Sequence, residues 1–375
     1  MKKATKSEAG QNMGRPKVNL SSHTIGIDLG DKFSHYCVLD PEAEVIEAGQ
    51  LKTTREALTA RFVTMPPVRV AMETGTHSAW VSQLLASFGH DVIVAHARDV
   101  PNLGKGRKKN DPGDAEKLAR YARFDPALLH PIQHRSREAQ LDLIVIRVRA
   151  QLVNARTLLI NTARGIVKSL GSRLPECSAD GFAERCQQQL PAELFSVLLP
   201  LVQQIGTMTD QIKAYDDQIQ RLADQRYLDT KGLRTVPGVG ALTALTFVLT
   251  LGDKARFAKS RDVGCYVGMR PRQSQSGEHD PQLGITKAGN SYLRKLLVQS
   301  AHYMLGPFGP DSAVRRWGLG LAAHGGQNAK KRALVAVARK LAVLLHTLWV
   351  RGGTYVPFPP RRHSRGYVTE GLNEA

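Results

Sequence analysis

Cysteine is scarce in this sequence. The four that occur, Cys37, Cys177, Cys186 and Cys265, are scattered, and only Cys177 and Cys186 lie within ten residues of each other. That spacing excludes a zinc knuckle and offers no disulfide framework, so the thiols are expected to be reduced, as in a cytosolic protein. Long apolar runs are lacking as well: none is read as reaching the roughly 20 residues that cross a bilayer. The N-terminal stretch MKKATKSEAGQNMGRPK carries lysines without the apolar core of a secretory signal. Both absences lead to the expectation of a soluble, intracellular chain. Acidic residues are in short supply, 33 Asp and Glu against 52 Lys and Arg, for a net charge of +19. From Lys231 onward the count is 22 basic against 7 acidic, a net of +15. A basic half-chain points to a polyanionic partner, because clustered Lys and Arg release counterions from phosphates.

What is present is enough for real cores. With 42% hydrophobic residues in 375, the chain has room for two or three domains. Strand-like segments at Ile25 to Leu29, His35 to Leu39 and Glu44 to Ala48 are joined by polar turns and predict a three-strand meander. Next come a helix around Arg55 to Val63, a strand Val68 to Met72, a helix from His77 to Phe88 and a strand Asp91 to Ala95. A basic loop, GKGRKKNDPGD, then leads into a helix opened by Pro112, Gly113 and Asp114. Three antiparallel strands followed by alternating helix and strand is the order of a ribonuclease H-like α/β domain.

Farther on, the apolar spacing becomes helical. Leu141, Ile144, Val148, Leu152, Ala155, Leu159, Ala163, Ile166 and Leu170 recur at steps of three and four, and a second stripe runs Leu194, Leu198, Leu201, Ile205, Met208, Ile212, Tyr215, Ile219, Leu222. Such stripes predict a coiled coil, formed as a hairpin within one chain or between chains. Pro200 predicts a kink or a later start of the second helix. The segment from Lys231 to Gly353 is rich in glycine and basic residues and ends in an apolar helix, Arg332 to Val350. The resulting division is a disordered basic tail 1–20, a ribonuclease H-like domain 21–130, a helical coiled-coil domain 131–230, a C-terminal domain 231–355 and a disordered tail 356–375.

Acids recur at the ends of apolar runs. Asp28 closes the strand in HTIGIDLGDKF and Glu73 closes the one in VRVAMETGTHSAW. Asp111 and Asp114 lie three apart at a helix start, where one caps and the other favours the helix dipole; a strand-end Asp likewise caps a turn. A ribonuclease H-like sheet would instead gather all four over one edge. Clustered carboxylates are tolerated chiefly when hard divalent cations lie between them. Two Mg²⁺ ions about 4 Å apart activate a nucleophile and stabilise a leaving oxygen in phosphoryl transfer. Lys105, Arg107, Lys108 and Lys109 beside this set are candidates for holding a nucleic-acid backbone, or form a solvated charged loop.

In LRTVPGVGALTALTFVLTLGD, Gly238 and Gly240 mark a tight turn between helices, similar to a helix-hairpin-helix, where bare backbone amides can approach a phosphate. Next, YVGMRPRQSQSGEHDPQLGITKAGNSYLRKLL sets Ser274 and Ser276 among Arg270, Arg272, Lys287, Arg294 and Lys295. By composition alone the serines are loop residues, since a free serine needs a base or a metal to act as a nucleophile.

GIDLG, AMETG, KNDPGDA, the long helical middle, TVPGVG, YVGMRPRQSQSG and GITKAGNSYLRKLL, in this order from His23 to about Pro357, resemble the transposases of the insertion-sequence one-ten family, also called DEDD transposases. The resemblance implies an α/β plus α architecture. Its parts are an N-terminal ribonuclease H-like domain of the RuvC kind, a helical coiled-coil middle and a mainly helical C-terminal transposase domain. It implies a metal site at Asp28, Glu73, Asp111 and Asp114 and a serine nucleophile, best matched by Ser276 with Ser274 as the alternative, that forms a 5′-phosphoserine link to DNA. It also implies Mg²⁺, donor and target DNA, an element-encoded bridge RNA as guide, a tetramer, no membrane, and a cytoplasmic, nucleoid-associated location in a prokaryote. A sugar-kinase or actin-like ATPase also begins with a GIDLG-like phosphate loop, but a second Asp-Gly phosphate loop and an adenosine motif are not found. A nucleic-acid-binding protein without catalysis is the third reading, and the presence of all four acids and the Ser-Gly loop counts against it.

Overall fold

The computed structural model describes residues 22–96, 111–273, 283–324, 326 and 328–359, except for the side chains of residues 111 and 112. The chain divides into two compact units, residues 1–135 and 136–375.

The first unit is built on a five-stranded sheet. Its elements are β1 (Thr24–Asp28), β2 (Phe33–Leu39), β3 (Val45–Lys52), α1 (Arg55–Phe62), β4 (Arg69–Glu73), α2 (Ser78–Ser87), β5 (Asp91–Ala95) and α3 (Asp111–Phe124). The strand order is β3-β2-β1-β4-β5. The first three strands form the expected antiparallel meander, while β4 and β5 add in parallel on the other side of β1. The mixed sheet follows from the chain: short polar turns return the first strands at once, and α1 and α2 carry the later ones across.

The two faces of the sheet are packed differently. On one, Ile25, Ile27, Val70, Met72 and Val94 meet Leu58 and Phe62 of α1 and Val81 and Leu85 of α2. On the other, Cys37, Leu39, Ala71, Ile93 and Ala95 pack with Ala115, Leu118, Ala119 and Ala122 of α3, where alanines predominate. Gly26 is the tightest point, where a Cβ would stand 1.9 Å from the carbonyl oxygen of Ala115 and 2.5 Å from the amide nitrogen of Ala119. Both partners are backbone, so the contact cannot be relieved by turning a side chain.

The second unit is helical: α4 (Arg137–Ser169), α5 (Phe182–Gln189), α6 (Ala192–Arg221), α7 (Thr230–Leu233), α8 (Ala241–Leu251), α9 (Arg261–Tyr266), α10 (Ser291–Leu305), α11 (Ala313–Ala323) and α12 (Ala329–Arg351). The α6 stripe faces inward as expected, with Leu198, Ile205, Ile212 and Ile219 buried. Pro200 lies within α6, so the helix does not start after it. The α4 stripe requires a correction. Of the expected stripe, Ala163 is buried and Leu152, Ala155 and Leu159 are half-buried, but Leu141, Ile144, Val148, Ile166 and Leu170 are exposed, and Leu143, Ile146, Ala150, Ile160 and Val167 complete the buried face. The run Leu143-Ile144-Val145-Ile146 is apolar on every side, so a stripe with steps of three and four can be drawn along two faces. The α4 face that is buried packs through Ile160, Ala163 and Val167 on Phe182 and Cys186 of α5 and on Leu198, Val202 and Ile205 of α6. All four cysteines are free thiols, and burial pushes that of Cys186 up to about 11.

A larger core joins α8, α9, α10 and α12 through Phe247, Leu251, Val263, Leu297, Ala301, Val337, Leu341 and Leu345. By length and composition α12 could cross a membrane, contrary to the expectation that no run is long enough. Its Val337, Ala338, Leu341, Ala342, Leu345 and Trp349 are, however, buried in this core. Beyond α12 the chain returns over the unit, so residues 356–359, expected to begin a disordered tail, are held by packing and hydrogen bonds instead. The Tyr355 amide donates to Thr235 Oγ1 at 2.8 Å, the Ala313 amide donates to the Pro357 carbonyl at 2.9 Å, and Phe358 lies under the Arg316 guanidinium at 4.8 Å.

His346 is buried in α12. Its Nδ1 accepts from the Ser260 hydroxyl at 2.9 Å, and its Nε2–H donates to the Lys254 carbonyl at 3.1 Å. Burial holds this imidazole below its ordinary value of 6.5. The unfolded chain therefore binds the proton first as pH falls, so this contribution to stability is complete above pH 6.5 and is lost on acidification through the lower folded value. Urea unfolding across this range is expected to show the wild type losing stability more steeply between pH 7 and 5 than His346→Gln. A Gly26→Ala substitution is expected to destabilise the first unit by roughly 3 kcal/mol, the upper end of overpacking costs, read from the same unfolding curves at pH 7.

Candidate active site

Alternation along the strands decides where the first two acids point. In β1, Ile25 and Ile27 face the α1 and α2 side, so Gly26 and Asp28 face α3. In β4, Val70 and Met72 face α1 and α2, so Ala71 and Glu73 face α3. The two strands are parallel neighbours, with Ile27 opposite Met72 as the last ladder pair. Asp28 and Glu73 therefore end adjacent strands at the same edge and on the same face, about one strand spacing of 4.8 Å apart in backbone terms.

The third acid comes from the helix lying on that face. Ala115 is the residue whose carbonyl touches Gly26, and Asp114 precedes it, so the seating of α3 on β1 carries Asp114 to the end of the strand that bears Asp28. The Asp114 side chain is only 10% exposed, and Lys117, one turn along α3, holds it at 2.8 Å. Asp111 starts α3, and its side chain lies outside the described residues. Ser274, Ser276, Lys105, Arg107, Lys108 and Lys109 also lie outside them.

In donor chemistry the set fits a hard divalent cation, since Asp28, Glu73 and Asp114 offer only carboxylate oxygens. Among the described residues, however, no three Asp, Glu, His or Cys side chains are close enough to share one ion. The described acids are brought to one edge without closing round a metal, and Asp114 has its charge balanced by Lys117.

The loops at this edge carry a group that the sequence reading passed over. After β1, Asp31 lies in the turn to β2; after β4, His77 precedes α2. Trp80 Nε1–H donates to His77 Nδ1 at 3.0 Å, and His77 Nε2 stands 3.6 Å from Asp31 Oδ1. The Arg55 guanidinium lies 5.3 Å above the Trp80 ring. A histidine four residues after a strand-ending acid was the available signal in METGTHSAW.

In the second unit, the residues flanking the serine-bearing loop are paired. Pro271 bridges Ile285 in antiparallel fashion, the Arg272 amide donates to the Gly284 carbonyl at 3.0 Å, and the Thr286 amide donates to the Arg270 carbonyl at 2.9 Å. This pairing collects Arg270, Arg272 and Lys287, all exposed, at the base of the loop. Lys295 is exposed on α10, but Arg294 is committed internally, donating to the carbonyls of Val267 at 2.9 Å and Ala288 at 2.8 Å. Gly238, at φ +79°, has a packing reason of its own: a Cβ there would lie 2.9 Å from the Ser300 carbonyl oxygen and 3.0 Å from the Tyr303 ring. The helix before this turn, α7, is a single turn, and Gly240 caps α8.

Family models match over most of the described chain. One for DEDD transposases covers residues 25–171, and another, described as "Transposase IS116/IS110/IS902 family", covers residues 230–313. The transposase for insertion sequence element IS1111A of Coxiella burnetii is 28% identical over 88% of this chain and 90% of its own. The transposase for IS1328 of Yersinia enterocolitica is 30% identical over 74% of this chain and 82% of its own. A shorter match, 28% identical over 41% of this chain and 47% of its own, is to the pilin gene-inverting protein of Moraxella lacunata.

The balance between Asp114 and Lys117 is open to measurement. Lys117→Met is expected to cost about 1 kcal/mol, because a nearly buried carboxylate is left uncompensated while the partly exposed ammonium is screened. Adding Asp114→Asn should recover most of that loss in a double-mutant cycle by urea unfolding.

Proposed function

Since the chain belongs to the IS116/IS110/IS902 family of transposases, we propose that it cleaves, exchanges and rejoins DNA at an acidic site made of Asp28, Glu73, Asp111 and Asp114, with Ser276 as nucleophile. The observation that supports this most is the common placement of Asp28, Glu73 and Asp114 on the α3 face at the ends of β1 and β4. Isolated strand-end caps have no reason to share an edge and a face.

In this reading the four carboxylates would hold Mg²⁺, which would supply positive charge at the scissile phosphate and favour loss of the nucleophile's proton. Asp28 and Glu73 are fixed by two adjacent strands, so their carboxylates are oriented before DNA arrives. Asp114 is restrained by Lys117, which neutralises it until a stronger cation competes. The Ser276 Oγ attacks phosphorus, a serine–phosphate bond forms, and the bond to the 3′ oxygen breaks with that oxygen taking a proton. Reversal onto another strand's 3′ hydroxyl rejoins the DNA without an external energy source, because the phosphodiester is exchanged rather than hydrolysed. Ser274 is the alternative nucleophile.

Arg270, Arg272, Lys287 and Lys295 are exposed and suited to phosphate contacts, as are Lys105, Arg107, Lys108 and Lys109 by sequence. In the same reading, the guide is an element-encoded bridge RNA, the assembly is a tetramer and the site of action is the cytoplasm. The +15 charge from Lys231 onward accords with binding two kinds of nucleic acid.

Purified protein with Mg²⁺, the element's RNA and matching DNA is expected to yield a DNA-linked peptide whose phosphodiester maps to Ser276 by mass spectrometry and disappears in Ser276→Ala. Asp28→Ala or Glu73→Ala should lower cleavage by at least about 10³-fold, the scale of losing a charge-stabilising group at phosphoryl transfer. Metal-dependent nicking with no adduct would replace the serine mechanism with hydrolysis, and full activity in Asp28→Ala would end the acidic-site reading.

A further inference from the structure

We propose that His77 is a further residue of this active site, a neutral hydrogen-bond donor that contacts a phosphate oxygen of the DNA strand held at the acidic edge, with its donor face fixed by Trp80. The inference rests on the acidic-site reading above.

Trp80 decides the protonation pattern of the ring. An indole nitrogen can only donate, so His77 Nδ1, 3.0 Å from Trp80 Nε1, must accept, and the imidazole carries its proton on Nε2. The two rings meet edge to face, with centroids 6.0 Å apart and planes at 87°, and the Arg55 guanidinium lies over the Trp80 ring. Trp80 itself packs against the core of the first unit. The Nε2–H is therefore presented in one direction by neighbours that are themselves held.

A purely structural role leaves this arrangement unexplained. His77 occupies the N-cap position of α2, yet its side chain makes no capping hydrogen bond. Its Nε2 faces Asp31, whose carboxylate is 91% exposed and 3.6 Å away. That separation is too long for a good hydrogen bond, and an exposed contact of this kind is worth little. What the Asp31 oxygen shows is that an anionic oxygen fits in front of Nε2. A non-bridging phosphate oxygen has the same charge and acceptor character and can replace it.

The location supplies the reason for a donor. His77 follows β4 and Asp31 follows β1, so both stand at the sheet edge where Glu73 and Asp28 end their strands; the acids face α3 and Trp80 packs on the α1 and α2 side, so a DNA strand crossing that edge meets the acids and then the His77 donor. Carboxylates repel a phosphodiester, and a fixed donor at their border offsets that repulsion where the backbone must approach. A donor already aimed at its target needs no reorganisation as charge develops.

The test uses the full-length chain with Mg²⁺, its RNA and DNA bearing the element's ends, with single-turnover cleavage measured over a range of DNA concentrations. His77→Ala is expected to lower the maximal rate by about 30- to 100-fold with the half-saturating DNA concentration changed less than about threefold, as for loss of one oriented donor. His77→Gln, whose side-chain amide can replace the Nε2–H, should recover at least about tenfold of that loss. Trp80→Phe should fall between them. Cleavage by His77→Ala within about threefold of wild type, alongside an inactive Asp28→Ala, overturns the assignment of His77 and leaves the acidic site standing. Equal impairment of the Ala and Gln variants also overturns it, since a donor role requires rescue. Normal cleavage by Asp28→Ala overturns the acidic-site reading and this inference with it.

Discussion

The backbone of α3 passes so close to β1 that a single methyl group at Gly26 would overlap the Ala115 carbonyl. The approach is possible because small residues, Cys37, Ala71, Ala115, Ala119 and Ala122, line the contact around Gly26, while Leu39, Ile93 and Leu118 fill the rest of that face. The consequence is positional. A helix held against a strand by backbone contact has little freedom to slide, because interiors pack at crystal-like density and resist small shifts. The carboxylate of Asp114 is thereby registered against the end of β1, and the strand pairing registers Glu73 against Asp28. Three negative groups are gathered by packing, not by mutual attraction, which they lack.

Charge in the second unit is handled by the same economy. Asp142 is nearly buried in α4 and is held by the Tyr227 hydroxyl at 2.7 Å and Arg226 at 3.2 Å. Arg149 grips Asp216 with two nearly parallel bonds of 2.9 and 3.0 Å, joining α4 to α6. Arg156, almost fully buried, spans to Asp180 at 2.6 Å and Thr209 at 3.1 Å. These cations serve the fold. The formal positive charge of the sequence is thus divided between groups that tie helices together and groups such as Arg270, Arg272, Lys287 and Lys295 that remain at the surface.

Much of the first unit was legible in the sequence, since its strands are short apolar runs bounded by polar turns and its acids fall at strand ends. Asp28 and Glu73 could be picked out because a charged residue closing an apolar run breaks a pattern. His77 was marked only by its place four residues after a strand-ending acid, because a polar residue in a loop breaks no pattern; the indole of Trp80 three residues later gives it a fixed direction. The face of α4 was misread because its apolar residues are too many, so periodicity alone could not choose between two stripes. Arg294 was grouped with phosphate-binding cations by composition, while its bonds to the carbonyls of Val267 and Ala288 depend on how two distant loops fold together. Local pattern reports which residues are out of place. It does not report which partners tertiary structure will bring to them.

The strap that crosses the second unit after α12 bears on how the protein is made. Tyr355 reaches back to Thr235, and Trp349 donates to Asp229 at 2.8 Å, both across 120 positions of chain. Synthesis runs from the N-terminus, and domains tend to fold as they emerge. The sheet unit draws only on residues up to 135, so it can close early on the ribosome. The helical unit has its last contacts only once the residues through Phe358 have been added, and contacts of such long range are slow to find. A nascent chain would therefore carry a finished acidic edge for much of its synthesis while the serine-bearing half is still incomplete. The helical unit would thus close only after the sheet unit, a delay set by the order in which the two are synthesised.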